Sequence, residues 1–478
     1  MILNLNNIHL RRCEAMDFKL DLKEIQKKFN FNTSIKHNPK TNVEFFPYKG
    51  TYRESQFNFR EVIGEFLRLV GNKRISSEVN SDKFVNDVLE SIEFEKIPQK
   101  AEFKQMLKTL FIDDNNQLVL FHPQTLYYIN TAENENKKLA EFLYAVLWNG
   151  ETSWSIEKKS IRTNDLMSTL IFSALPNLED AERQPVKYAL FSSEFSELFM
   201  SDFKWLSTKQ ELFTQQFEKL LSYYYFFYVT QIARRNEYLF NTHNQNIIPL
   251  YFTFEEEERL SKTRVSYEYG WKNIERSVNR MFSHVNFLKM LNISVQEQKN
   301  FYSYQRIAQI LQSTTPDVIE QLEEDLESLV MLYKAHWSDV NWSQMEENTS
   351  EKHELPILNQ LTSLFQIIDY QFNNSQRVKL YNGYKSWFVH FCQKAFLKSR
   401  GRSGKMLILN TDYLLFLTKV IIKNESKIRL KRLLEEFEIR GIVFDRDTQI
   451  AIVEYFEKLN LLEKKSDSGD AIYVRAFL

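Results

Sequence analysis

The chain has 478 residues, 43% hydrophobic and 26% charged, a balance that excludes a disordered protein and gives room for roughly two or three domains. Only 10 Gly and 9 Pro stand beside 39 Phe and 23 Tyr. So few turn-formers argue against a β-rich or doubly wound α/β protein and for long helices around bulky aromatic cores. The formal net charge of −1 excludes a polycation. That charge is uneven. Residues 394–478 carry 17 Lys+Arg against 12 Asp+Glu, a net of +5, which leaves −6 for the rest (−1 minus +5). Any attraction for phosphate is therefore expected at the C-terminal end. Cys13 and Cys392 alone make neither a metal cluster nor a disulfide framework. No apolar run reaches the roughly 18 residues that span a bilayer. Arg11 and Arg12 follow the mildly apolar start, the reverse of a signal peptide, so a cytoplasmic protein is expected. Met16 is an alternative start.

In chain order, residues 16–57 read as short irregular elements. Helices are expected at 58–70, where Phe59, Val62, Ile63, Phe66, Leu67 and Val70 keep helical spacing before Gly71, and at 81–92 behind an Asn80 or Ser81 cap. The locally basic stretch 96–108 reads as a solvated helix face. LVLF at 118–121 reads as a strand, 133–148 as a helix, and NGETSWS at 149–155 as a domain boundary. A helix at 164–174 ends before Pro176, and 175–186 reads as a loop.

Helices at 187–202 and 208–236 follow. The second contains LLSYYYFFYVTQIARR, apolar almost all round near Tyr223–Val229, and so is expected to be buried core rather than a base-stacking platform. A break at 241–253 precedes helical segments at 254–292, 297–313 and 316–339. The last of these has an acidic outer face given to solvent or a partner protein. A polar loop at 338–354 and helices at 356–373 and 376–399 lead to the tail. The expected domains are 1–150 (mostly helical with a minor strand), 151–400 (helical core) and 401–478.

The tail reads as strand Met406–Leu409, then a helix from an Asn410 or Thr411 cap with Leu414, Leu417, Val420 and Ile421 inward. A second helix covers 427–440, with Leu430, Leu433, Leu434 and Phe437 as its stripe and Gly441 as its stop. A third covers 445–460, with Ile450, Val453, Phe456 and Leu459 inward. LLEKK and AIYVRAF then form a hairpin, with Ile472, Val474 and Ala476 alternating against Tyr473, Arg475 and Phe477. Three helices and a hairpin are the order of a winged helix, so the fold class expected is mainly α, a multi-helix body with a C-terminal winged-helix domain. In such a domain the start of the third helix enters the major groove. Here that start supplies Arg446, Thr448 and Gln449, where Arg and Gln can make paired bonds to base edges. Lys464 and Lys465 in the wing, with Lys398, Arg400, Arg402 and Lys405 in the lead-in, complete the candidate DNA contacts. Glu454, Glu457, Asp467 and Asp470 oppose phosphate. Docking of a protein, or a purely structural cap, are the competing readings of this tail.

Several motifs fail on spacing. GRSGK has two residues between its glycines and Met406 after Lys405, which is no phosphate-binding loop. The 8 His are dispersed, without ligand pairs. His390 and Cys392 do not share a helix face. Asp445 and Asp447 read as capping charges rather than metal ligands, and Glu179, Asp180 and Lys187 lack the setting of a nuclease triad. No catalytic residue, cofactor or metal is expected.

RGRSGKMLILNTDYLLFLTKVII, RLKRLLEEFEIRGIVFDRDTQ and LNLLEKKSDSGDAIYV resemble the C-terminal region of the DptG (DndG) family, components of bacterial DNA phosphorothioation-dependent restriction systems. The likeness covers about the last eighty residues and, less closely, 211–235. It implies a place beside DptF-like and DptH-like subunits, which carry the ATPase motifs in those systems, and action against DNA that lacks the backbone sulfur. No catalytic residue set carries over. The expected role is a non-enzymatic accessory subunit that docks the ATPase partners and touches double-stranded DNA. A protein-only scaffold and a nuclease with an unrecognised site are the alternatives.

Overall fold

The structure, a computed structural model, describes the chain apart from residues 1–17, 32–35, 149–153, 155–165, 183–184, 186, 242–246, 258–261, 347–352, 402–403, 465–471 and 478. The Met16 start, most of the expected boundary at 149–155, the aspartates of the wing tip, Arg402 and Lys465 lie outside the described residues.

As the composition leads one to expect, the chain is mainly helical. Its helices are α1 (Leu22–Phe29), α2 (Phe59–Gly71), α3 (Ser81–Glu90), α4 (Ile97–Phe111), α5 (Asn134–Leu143), α6 (Leu166–Ala174), α7 (Ser193–Ser207), α8 (Gln210–Glu237) and α9 (Val265–Glu268). There follow α10 (Trp271–Asn279), α11 (Met281–Leu291), α12 (Tyr304–Gln312), α13 (Pro316–His336), α14 (Pro356–Asn373), α15 (Val378–Ala395), α16 (Thr411–Ile422), α17 (Leu430–Ile439) and α18 (Arg446–Lys458). The strands are β1 (Lys73–Ile75), β2 (Leu178–Asp180), β3 (Leu250–Phe254), β4 (Leu397–Ser399), β5 (Lys405–Leu409), β6 (Lys427–Arg429), β7 (Ile442–Phe444), β8 (Leu462–Lys464) and β9 (Ile472–Arg475). No helix among the described residues is long and apolar enough to cross a membrane.

The chain forms two compact units. One comprises residues 1–43, 235–245 and 280–381. In it α14 packs on α11 and α13, and α13 buries Leu322, Leu326, Leu329 and Tyr333. A buried charge network ties α11 to α14 and to the end of α8. Arg280 donates to Glu237 (2.7 Å) and Asp369 (3.1 Å), and His284 lies between Tyr304 (3.0 Å) and Glu237 (3.2 Å).

The other unit comprises residues 44–234, 246–279 and 382–478. α8 is its axis. Every residue from Leu220 to Ala233 is buried, as an apolar surface all round a helix requires. Phe59 of α2, Phe199 of α7, Phe388 of α15 and Phe252 of β3 all meet its rings. Three tyrosine hydroxyls of α8 have partners: Tyr224 donates to Asp202 (2.7 Å), Tyr223 to the Arg440 carbonyl, and Tyr225 shares a bond with Tyr48. The aromatic stretch is core, as expected.

A four-stranded sheet of order β4-β5-β3-β7 sits beside α8. β3 runs parallel to both β5 and β7, with Thr253 opposite Ile408 and Phe252 opposite Phe444. Two strands from beyond residue 400 therefore flank a strand from residue 250, and the sheet is incomplete without both. A separate antiparallel sheet of order β6-β9-β8 closes the tail, with Ile428 and Leu462 both opposite Val474.

Several expectations need correction. LVLF at 118–121 forms only an isolated bridge, Ile112 with Leu118. The strands of the first half are instead β1 and β2, and β2 lies inside the expected loop at 175–186. The break at 241–253 contains most of β3. The segment 254–292 is broken into three helices, and the tail inserts β6 before α17 and β7 after it. On α18 the buried residues are Thr448, Ile452 and Phe456, while Ile450 and Leu459 are 49% and 41% exposed. The helix is rotated from the expected face because it packs on β3 and β7, with Tyr455 against Phe254 at 5.1 Å. A segment two hundred residues away sets that face.

Candidate nucleic-acid interface

α18 starts at a well-made cap. The Asp445 side chain accepts from Thr448 N–H (3.0 Å), the pattern expected of an N-cap aspartate. Arg264, 9% exposed, enters from the segment before α9. It donates to Asp445 Oδ2 (3.0 Å) and Thr448 Oγ1 (2.7 Å) and also pairs with Glu257. Burial alone would raise the Asp445 carboxyl, but the bonds from Arg264 and the Thr448 amide outweigh it and hold the group at about 2. The start of α18 is thus locked to the body by a charge network.

That lock decides what the expected reading residues can touch. Thr448 is fully buried and committed to Arg264. Gln449 is half-buried and gives its amide to the Phe444 carbonyl (2.9 Å). Arg446 is exposed. The outward face of α18 continues with Asp447, Ile450, Glu454, Glu457 and Lys458. Lys464 is exposed, and its ammonium pairs with Glu457 (2.5 Å). In the lead-in, Lys398 pairs with Glu255 (2.9 Å), Arg400 donates to the Glu255 carbonyl (3.2 Å), and Lys405 begins β5. The structure therefore places Arg446 at the surface and spreads the other described cations over β4, the turn after it, β5 and β8, with Lys398, Arg400 and Lys464 held by partners.

Tyr473 and Arg475 share a face of β9, as their alternation predicts, and the β6 register adds Lys427 and Arg429, which the sequence did not reveal. Side chains alternate across a strand, so burial of Ile428 and Val474 turns Lys427, Arg429, Tyr473 and Arg475 outward together. The Tyr473 ring lies at the centre. Lys427 Nζ is 5.1 Å and the Arg429 guanidinium 5.9 Å from its centroid, and Arg429 Nε donates to its hydroxyl (3.2 Å). Glu463 is the acid on this face. A bond from Lys427, with help from Arg475, holds its carboxyl below the usual range. Three cations, one carboxylate and one aromatic ring give this face a net charge of +2 (3 minus 1). Lys427 and Arg429 reach this face because residues 427–429 form a strand where the spacing predicts a helix start.

Elsewhere, Glu179 and Asp180 lie on β2 and are paired with Arg74 and Lys73. Cys392 is buried, which pushes its thiol up. Among the described residues, no three His, Cys, Asp or Glu side chains are grouped to hold a metal ion. No family model matches the chain, and no curated protein matches it.

Chemically, an exposed guanidinium-rich face beside a half-buried ring suits phosphate contact and ring stacking.

Proposed function

We propose that this chain is a non-catalytic accessory subunit of a DNA phosphorothioation-dependent restriction complex. It holds DptF-like and DptH-like partners and contacts double-stranded DNA through its C-terminal region. The resemblance of the last eighty residues supports the process. The order α16, β6, α17, α18, β8, β9, with β6 and β8 on either side of β9, supports reading that region as a winged helix joined to the body through β5 and β7. The observation that carries the DNA contact is the cationic face of Lys427, Arg429 and Arg475 around Tyr473, with Arg446 at the head of α18.

Exposed Ile450 between Arg446 and Glu454 favours a second reading, in which α18 docks a protein while the subunit acts as a scaffold. Co-purification of the full chain with DptF-like and DptH-like proteins tests the assembly. Duplex binding by wild type and by Arg429→Ala/Arg446→Ala/Arg475→Ala separates the two readings. Loss of duplex affinity with partners retained supports DNA contact. Unchanged duplex affinity, or none in the wild type, leaves the scaffold. Deleting the tail is unsuitable, because that removes both neighbours of β3.

A further inference from the structure

The face of β9 does not end at Arg475. The chain stays extended for one more residue, with the Ala476 N–H bonded to the Ser426 carbonyl (2.8 Å). Phe477 follows, two residues beyond Arg475. At about 3.3 Å per residue, Tyr473 and Phe477 are about 13 Å apart along the strand. Phe477 is half-buried, and Lys419 Nζ sits 5.1 Å from its ring centroid.

Phe477 also forms one edge of a cleft of about 830 Å³ between the end of α16 and the start of α8. Trp205 stands in the same cleft, half-buried, its indole N–H held by Asn424 (3.2 Å). The cations there are Lys209, Lys419 and Lys423, facing Glu211 and Glu425. Lys423 is tied to Ser201 (2.7 Å) and Asp202 (3.3 Å). Lys209 and Lys419 have no carboxylate within ion-pair range among the described residues. Burial, then Lys219, lowers the affinity of the Lys419 ammonium for its proton, and no counter-charge offsets this. An anion entering the cleft would supply one.

Aromatic rings spaced along a cationic track, with no reading of base edges, are the chemistry of single-stranded nucleic acid binding. A rigid duplex keeps its bases stacked inside and offers nothing to such rings. We propose that Tyr473, Phe477 and Trp205, with Arg429, Arg475, Lys419 and Lys209, form a track for an unpaired nucleic-acid strand that runs from the β6-β9-β8 face into this cleft. The inference rests on the nucleic-acid reading of the tail and adds strand state to it.

The test uses the full chain and fluorescence anisotropy with a short oligothymidylate and, separately, a duplex. The wild type is expected to bind the oligothymidylate. Tyr473→Leu and Phe477→Leu each weaken it by about tenfold, the scale of one stacked base. Tyr473→Phe restores it, and Lys209→Ala/Lys419→Ala lowers its salt dependence. Phe477→Leu and the lysine pair leave duplex affinity within about twofold, and thermal melts confirm that each variant is folded. Absence of oligothymidylate binding, or affinity unchanged in both leucine variants, overturns the track. If duplex binding persists in that event, the proposed function survives without it. If the oligothymidylate binds and the duplex does not, the track stands and the duplex contact falls.

Discussion

Removing the charge at Arg440 is expected to be among the most damaging single changes in the larger unit. Arg440 is 3% exposed, and Asp202, its partner on α7, is fully buried. The guanidinium meets both carboxylate oxygens, at 3.0 and 2.9 Å, and also reaches the Glu436 side chain (2.9 Å). Burial works against the Arg440 charge, and Tyr224 and Asp202 more than offset it, so its affinity for the proton is raised. In Arg440→Met the Asp202 carboxylate keeps only the Tyr224 hydroxyl and the partly exposed Lys423, and removing one partner of a buried pair costs roughly 3–5 kcal/mol. Asp202→Leu leaves the buried guanidinium with Glu436 as its remaining carboxylate, at a similar cost. The double variant Asp202→Leu/Arg440→Met removes both charges, and apolar replacement of a whole buried pair is near neutral, within about 1 kcal/mol. The singles would sum to about 6–10 kcal/mol, so the cycle should show a large coupling. Urea unfolding followed by tryptophan emission measures it, with hydrogen exchange in α17 as a local readout. Single variants costing under about 1 kcal/mol, adding simply in the double, would refute the reasoning.

Further outcomes follow from titratable and glycine positions. Asp445 sits at about 2 in the folded chain against an ordinary 3.8, so its contribution is fully present above about pH 4 and is lost as pH falls toward 2. Asp445→Asn should flatten the melting temperature across that window, and an unchanged acid slope would count against the Arg264 lock. His37, stacked on Trp337 at 5.3 Å, is lowered from 6.5 to about 4 by burial, then by Arg377 and His336. Its neutral form is the one the fold favours, so stability is full above about pH 6.5 and declines toward pH 4. Melts of His37→Gln that keep the wild-type slope there would contradict this. Gly441 has φ +77°, and a Cβ would come 2.8 Å from the Phe227 ring. Gly441→Ala should therefore cost more than the roughly 1 kcal/mol of a simple glycine cap, read as a drop in urea midpoint.

What could be read from the sequence depended on whether the deciding contact was local. α14 appears where its periodicity and Pro356 place it, and the burial of Tyr223–Val229 follows from apolar groups all round one helix. The caps at Asn80, Asn410 and Asp445 are local chemistry and were legible. β3 was not, because Leu250–Phe254 is a short apolar run whose partners lie at 408 and 442. The α18 face was misjudged for the same reason. Thr448 is buried because Arg264 supplies its polar partner, and no periodicity within α18 records that. Of the candidate contacts, Arg446 stands at the surface as expected, whereas the Lys427, Arg429 and Tyr473 cluster needed the β6–β9 register to become visible.

The proposed DNA contact is tested most directly by the salt dependence of duplex binding by the full chain. Each phosphate contact adds about 0.9 to the magnitude of the slope of log affinity against log salt. Replacing Arg429, Arg446 and Arg475 together should lower that magnitude by up to about 2.7 with the melting temperature held. A wild-type chain that binds no duplex at low salt, or a triple variant with the wild-type slope, would contradict it.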